Sequence, residues 1–291
     1  MDDGSIDGSG AMLDEYARLD SRFTVIHQEN KGVAAARNVA LGKVSGVWLM
    51  FIDGDDIYHR NALSLCRRAI SNYPGVDIIK FDYVEFDDGS LCEWREGQSP
   101  ISYKMKEFTD VVTSESYEGS FIGGAYRFNP IRDIRFKPFH LGEDRVWLAE
   151  VIDNVSQGAK LCLPLYGYRQ RLSSATHQSL DPARFKDEIG WRMSIMRIWG
   201  CSKKKVEYAM LRRNAGVLTE YISAVYFAMP FKSRREVFCD WMLALNECAL
   251  FKSTPLYYKV LMKINAKVKS QLLVWLTCWV PYYLKKHGLH R

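Results

Sequence analysis

Three carboxylates directly after an apolar run have the residue types and spacing for metal chemistry. Asp53, Asp55 and Asp56 follow residues 47–52, whose continuous apolar side chains are typical of a strand buried on both faces of a parallel sheet. Ligands in such sheets bind at the carboxyl ends of the strands. Adjacent carboxylates are hard oxygen ligands suited to Mg²⁺ or Mn²⁺, and the diphosphate of a nucleotide could complete the coordination shell. An isolated acidic turn of this kind would more often be structural.

A second acidic segment opens the chain, in "MDDGSIDGSG". Asp3, Ser5, Asp7 and Gly8 fit the first half of an EF-hand calcium loop, and Asp14 stands at its twelfth position. An EF-hand also requires a preceding helix and a bidentate glutamate, and neither is present here. The segment therefore needs another explanation.

The elements that must position these acids alternate along the chain. Residues 22–28 predict a strand, a helix begins near Gly32, and the strand at 47–52 is followed by a helix in "HRNALSLCRRAISNY" and a strand in "VDIIKFDYVEF". After a mixed stretch, residues 141–152 predict a helix whose first turn carries Glu143 and Asp144, and "KLCLPLYGYRQR" predicts a strand. Such alternation indicates an α/β fold.

Composition and charge separate two halves of the 291-residue chain, which has a formal net charge of +6. Residues 1–150 contain 17 Lys and Arg against 25 Asp and Glu, whereas residues 151–291 contain 23 against 9. The acidic half could collect a metal ion, and the basic half could face phosphates, anionic lipid or nucleic acid; solvated helix faces explain the lysines equally well. Seven scattered cysteines without a C-x-x-C pair favour reduced thiols in a cytosolic protein.

Five sequence blocks in order carry a family resemblance: "DDGSIDGS", "ENKGVAAARNVAL", "MFIDGDD", "GED" and "YGYRQRLSS". Over residues 2–174 the chain resembles family-2 glycosyltransferases, which are inverting enzymes with the GT-A fold that use nucleotide-sugars. The resemblance implies a Rossmann-like mixed sheet with flanking helices for residues 1–178. A basic α-helical region is predicted to follow over residues 179–291.

The resemblance also implies roles for individual residues. Asp55 and Asp53 match the D-x-D motif that binds Mg²⁺ or Mn²⁺, with Asp55 as the main ligand and Asp56 orienting both. Glu143 and Asp144 match the acidic pair that supplies the catalytic base; Asp144 is favoured narrowly, and the choice stays open. The nucleotide-sugar contacts are predicted at Asp3, Arg37, Asn38, Asp53, Arg169 and Arg171.

Ordinary structural explanations compete with several of these roles. Arg37 could be a helix-surface charge, and Arg169 and Arg171 could be surface arginines at a strand end, with a role in acceptor binding as a further alternative. Glu143 and Asp144 could be favoured at a helix N-terminus by the macrodipole alone.

The predicted function is metal-assisted transfer of a sugar, from a UDP-sugar by default, to a saccharide or lipid-linked acceptor in surface polysaccharide biosynthesis. The alternative is an inactive remnant that acts as a binding or scaffold module. Nucleic-acid binding has little support, because the basic residues are spread over several helices without a recognised motif.

Both ends of the chain raise further expectations. Relatives have a strand, a helix and a strand before "DDGS", so we expect an N-terminally truncated fold that is inactive or poorly folded alone. Near the other end, the apolar run at residues 272–284 is shorter than the ~20 residues that span a bilayer. This run suits either a helix at the membrane surface or a core-packing helix. The first alternative predicts a cytoplasmic protein with peripheral contact at the inner face of the membrane.

Overall fold

The computed structural model describes residues 1–94, the backbone of 101–104, residues 121–171, and several helical positions between 187 and 198. It divides the chain into two units, Met1–Gln178 and Ser179–Arg291, and the fold below is that of the first. The predicted basic helices, the surface-or-core helix at 272–284 and the boundary at 178 lie almost wholly outside the described residues. Among the helices that the structure describes, none combines the length and hydropathy of a membrane span.

Within the described residues of this unit, four α-helices flank the sheet. They are α1 (Ser9–Leu19), α2 (Val33–Leu41), α3 (Ala62–Asn72) and α4 (Glu143–Asn154). Gly32 precedes α2 with φ 85° and Gly142 precedes α4 with φ 81°. Since side chains disfavour this left-handed region, glycine lets the chain turn sharply into each helix. The predicted helices beginning near Gly32 and over residues 59–73 and 141–152 are confirmed.

In the part of the unit that the structure describes, six strands form one mixed sheet. They are β1 (Trp48–Met50), β2 (Ile57–Tyr58), β3 (Ile78–Asp87), β4 (Ile101–Lys104), β5 (Gly124–Arg127) and β6 (Gln157–Gln170). The order is β1-β5-β3-β6-β2, and β4 also pairs with β6. β3 and β6 are parallel, and the other pairs are antiparallel. The mixed α/β sheet with flanking helices is the fold predicted from the sequence.

Two strand predictions were wrong. Residues 22–28 form no strand; His27 alone makes a parallel bridge with Asp2. β1 is only three residues long and pairs antiparallel with β5, so it is not a strand buried in a parallel sheet. Val47 and Ile52, at the two ends of the apolar run, are 68% and 53% exposed. An apolar run predicts extended backbone, but it carries no information about which strand will lie beside it.

Both faces of the central sheet are covered. Ile78 packs in a cluster with side chains of α2 and α4, whereas its neighbour Ile79 packs with α3. Successive strand residues point to opposite faces, so β3 joins the two cores. In the first cluster the fully buried Trp147 stacks on Phe136 with centroids 5.2 Å apart, and Phe51 meets the Trp147 ring edge-on. These rings lie beneath the acidic segments described next.

Candidate active site

The loop "DGDD" joins β1 to β2 and presents two carboxylates outward and one inward. Its turn is closed by the Asp56 N–H, which donates to the Asp53 carbonyl at 3.1 Å. The side chains of Asp53 and Asp55 are 37% and 39% exposed, whereas Asp56 is buried. The three acids of the motif therefore have different environments and can do different chemistry.

Asp56 anchors this loop to β6. Its Oδ2 accepts from the Tyr166 hydroxyl at 2.6 Å, and its Oδ1 accepts from the Arg169 backbone N–H at 2.9 Å. The Asp53 N–H in turn donates to the Tyr166 hydroxyl oxygen at 3.3 Å. Burial raises the pKa of Asp56, although the hydrogen bonds from Tyr166 and Arg169 oppose that shift. This arrangement is consistent with the predicted orienting role of Asp56.

Arg37, near the middle of α2, connects the loop to the start of α4. Its Nη2 donates to Asp53 Oδ1 at 2.8 Å and its Nη1 donates to Glu143 Oε1 at 2.5 Å. The guanidinium carbon also lies 4.6 Å from the Phe121 ring centroid and 5.5 Å from that of Phe136. Its side chain is 15% exposed. The surface-charge explanation for Arg37 is therefore excluded.

The acidic pair begins α4. Glu143 is buried, and its pKa is raised by burial and by the charge of Asp144, against the lowering effect of Arg37. Asp144 is half-buried. Glu143 is thus engaged in an ion pair, while Asp144 is the member of the pair with the more accessible side chain.

Asn38 holds a backbone segment. Its Nδ2 donates to the Phe136 carbonyl at 2.9 Å, and its Oδ1 accepts from the Phe136 N–H at 2.8 Å. These two bonds use both ends of the amide and give Asn38 a structural role. The nucleotide contact that the resemblance implies for it stays a prediction.

The two arginines near the end of β6 meet the acidic loop differently. Arg169 donates from Nε to the Asp55 carbonyl at 2.8 Å and from Nη1 to Asp88 at 3.0 Å, and it lies over the Phe86 ring. Arg171 places Nε 3.7 Å from Asp55 Oδ2. Both arginines therefore lie beside "DGDD". Arg169 contacts the backbone carbonyl of Asp55, and Arg171 approaches the Asp55 carboxylate.

Asp3 lies near the start of α2. Its Oδ1 accepts from Gln28 Nε2 at 2.6 Å and from the Lys31 N–H at 2.9 Å. Burial favours the neutral form, but the hydrogen bonds from Lys31 and Gln28 outweigh it, so the pKa of Asp3 is lowered. Gly4, the next residue, has φ 76°, and a Cβ there would lie 2.7 Å from the Asn30 nitrogen. The glycine of "DDGS" is therefore required by both conformation and space.

Sequence reasoning missed the neighbouring Asp2. It is buried and accepts hydrogen bonds from the Ser5 N–H at 2.9 Å and from His27 Nδ1 at 2.8 Å. Hydrogen bonds from Ser5 and then His27 lower its pKa to about 2. His27 Nε2 lies 2.9 Å from an oxygen of Asp14, on α1. No local pattern links Asp2 or Asp14 to His27, because the contacts join separate segments.

The "DGDD" loop supplies carboxylate oxygens of the kind that bind a divalent ion. Within residues 1–94 and 121–171 no group of three or more His, Cys, Asp or Glu side chains is arranged to hold a metal. Mg²⁺ is commonly bound by only one or two carboxylates together with substrate phosphates. The partly exposed carboxylates of Asp53 and Asp55 provide such a pair of hard oxygen ligands.

Comparisons with known proteins point to glycosyltransferases. Residues 1–134 match the family model described as glycosyl transferase family 2. Glycosyltransferase GlyG of Streptococcus pneumoniae is 25% identical over 229 residues, covering 75% of this chain and 72% of GlyG. The uncharacterized glycosyltransferase EpsJ of Bacillus subtilis is 43% identical over 201 residues, covering 63% of this chain and 55% of EpsJ. Glycosyltransferase GlyA of S. pneumoniae is 30% identical, and the match spans 26% of its length.

A solved structure shares the fold. The crystal structure of S. aureus TarS 1-349 in complex with UDP-GlcNAc superposes with a TM-score of 0.66 at 16% identity, covering 99% of this chain and 81% of that one. A second crystal structure of S. aureus TarS 1-349 gives a TM-score of 0.62. Residues 1–134 thus match glycosyl transferase family 2, and the chain shares the fold of TarS, as expected for a family-2 enzyme with the GT-A fold. The family resemblance seen in the sequence is confirmed.

Proposed function

We propose that this chain transfers a sugar from a nucleoside-diphosphate donor to a hydroxyl of a saccharide or lipid-linked acceptor, with inversion and metal assistance, in surface polysaccharide biosynthesis. The observation that carries the proposal is the contact of Arg37 with both Asp53 and Glu143. It brings the D-x-D loop and the acidic pair to opposite sides of one guanidinium. The TarS complex with UDP-GlcNAc supports a nucleotide-sugar donor, with UDP as the default base.

Asp55 and Asp53 would hold Mg²⁺ or Mn²⁺, which when bound supplies positive charge to the departing diphosphate. Arg171, whose guanidinium approaches Asp55, adds a cation on the same side. Arg169 holds the backbone of Asp55 and so fixes the loop in place. Asp3 takes the nucleoside contact that the resemblance implies.

Asp144 is proposed as the catalytic base. The carboxylate of Glu143 is committed to Arg37, whereas Asp144 stands beside it in the first turn of α4. In the proposed step Asp144 accepts the proton of the acceptor hydroxyl while that oxygen attacks the anomeric carbon from the face opposite the nucleotide. The new glycosidic bond forms as the bond to the diphosphate breaks, which inverts the configuration.

We also propose that the enzyme acts in the cytoplasm. For lipid-linked acceptors, the hypothesis is that residues 272–284 make a peripheral contact with the membrane. Those residues lie outside the described part of the chain. Flotation of the full chain with anionic vesicles tests this contact, and a protein that stays with the unbound fraction contradicts it.

The proposal is tested by incubating the full chain with a panel of UDP-sugars and oligosaccharide acceptors and measuring release of UDP. Turnover that is lost on chelation, restored by Mg²⁺ or Mn²⁺, and strongly lowered in Asp144→Asn would support the mechanism, and it would overturn the expectation that the chain is inactive alone. Turnover that is unaffected by both changes would contradict the assigned mechanism. A folded chain without turnover on any donor would favour the binding-module alternative.

A further inference from the structure

Arg37 uses the two ends of its guanidinium on two different segments. Nη2 is occupied by Asp53 of the β1–β2 loop and Nη1 by Glu143 of α4, at 2.8 and 2.5 Å. Asp53 and Glu143 are separated by 16 and 106 residues from Arg37 in the chain, so the contact joins segments that no local pattern connects. A planar fork of donors is suited to bridging two carboxylates in this way.

Aromatic rings hold the guanidinium in position. It lies over Phe121 and Phe136, and cations are attracted to the faces of such rings. Phe136 is itself fixed by stacking on Trp147 and by the two backbone bonds of Asn38. The "ARN" segment therefore supplies both the bridging arginine and, through Asn38, part of the surface on which it rests.

We propose that Arg37 is a positioning residue that couples the metal-side loop to the base-side helix and acts on the transfer step through Asp53 and Glu143. This rests on the proposed function and differs from the nucleotide contact that the resemblance implies for Arg37. Arg37 contacts Oδ1 of Asp53, so the other oxygen of that carboxylate can serve a cation. Removing either partner changes the orientation of the other.

The experiment is a double-mutant cycle with Arg37→Met and Glu143→Gln in the full chain, read by kcat, donor KM and the midpoint of denaturant unfolding. Both substitutions break the same link, so we expect each to lower kcat by about tenfold or more and the double variant to be no worse than Arg37→Met alone. Donor KM should change by less than about threefold. Arg37→Lys should recover only part of kcat, because an ammonium cannot bridge both carboxylates.

A matched control is Arg127→Met. Arg127 also pairs with a carboxylate, Asp77 at 3.2 Å, and lies over the Trp48 ring, but it joins β5 to the start of β3. The substitution Arg127→Met should lower the unfolding midpoint and leave kcat unchanged. This control separates loss of stability from loss of coupling.

Two results would overturn the proposal. One is that the two substitutions act independently, with multiplicative effects on kcat and additive shifts of the unfolding midpoint. The other is a higher donor KM at unchanged kcat in Arg37→Lys, which would indicate direct nucleotide contact. If the wild-type chain transfers no sugar, the proposed function fails, and the unfolding cycle alone decides: additivity there rejects the link between Arg37 and Glu143.

Discussion

The Tyr166 hydroxyl donates to Asp56 over 2.6 Å and so joins residues that are 110 positions apart in the chain. Asp56 is the last residue of the acidic loop, and Tyr166 is a fully buried residue of β6. The Asp56 carboxylate points inward and is fixed to the sheet. The outward position of the Asp53 and Asp55 side chains depends on this anchor.

Tyr166→Phe tests that anchor. Removing the hydroxyl leaves a buried carboxylate without one of its donors, which should lower the free energy of unfolding by about 1.5–3 kcal/mol. Denaturant unfolding measures the change. Tyr16→Phe on the exposed surface of α1 is the control and should be nearly neutral. A loss in Tyr166→Phe that is no larger than in the control would show that the contact adds no stability.

Asp55→Asn tests the metal ligand. Loss of a charged oxygen ligand should lower sugar transfer by about 100-fold or more, because the metal's stabilisation of developing charge is worth several kcal/mol. Rates of sugar transfer at increasing concentrations of Mn²⁺ or Mg²⁺ measure this loss. Asp88→Asn removes a nearby exposed carboxylate that pairs with Arg169, and it should retain most of the activity. Equal losses in the two variants would point to general charge effects.

The assignment of the base is tested by comparing Asp144→Asn with Glu143→Gln. Removal of a general base costs about 10²–10⁴-fold in rate, so Asp144→Asn should show a loss in this range. Glu143→Gln should lose less, since Glu143 acts through Arg37. Single-turnover rates at saturating donor distinguish the two. The reverse order would assign the base to Glu143.

A pH prediction follows from His27. Hydrogen bonds to Asp2 and then Asp14 raise the pKa of His27, so the folded state favours the imidazolium. This contribution to stability is complete below the unfolded value of about 6.5 and is lost as pH rises through the higher folded pKa. Unfolding midpoints of wild type and His27→Gln at pH 6 and pH 9 measure it. The two proteins should differ more at pH 6, and a constant difference would contradict the prediction.

Asn38→Ala tests whether the asparagine is structural. It removes both bonds to the backbone of Phe136, leaving a donor and an acceptor unpaired, so we expect a loss of about 1–3 kcal/mol in unfolding free energy. Titration with UDP, in the presence of Mn²⁺, provides the second readout and should change little. Unchanged stability with weaker UDP binding would instead support the contact implied by the resemblance.

The acidic residues were recognisable in the sequence, but their partners were not. "DGDD" and "GED" have local spacing that identifies them, and the helices and strands around them follow from periodicity and glycine positions. The partners of Asp56, Asn38 and Glu143 lie 98 to 113 residues away. Local patterns carry no information on such distant pairs, and this is also why Arg37 was interpreted without its bridging role.

The sequence alone determined the order of α2, β1, α3, β3, α4 and β6, the α/β class and the family resemblance, because backbone preferences and motif spacing act over a few residues. Tertiary structure decided that β1 pairs antiparallel with β5 and that residues 22–28 contribute only a bridge at His27. It also decided that Arg37 lies between two carboxylates. Strand partners and ion pairs are chosen by which surfaces meet when the chain packs, and that choice depends on the whole fold.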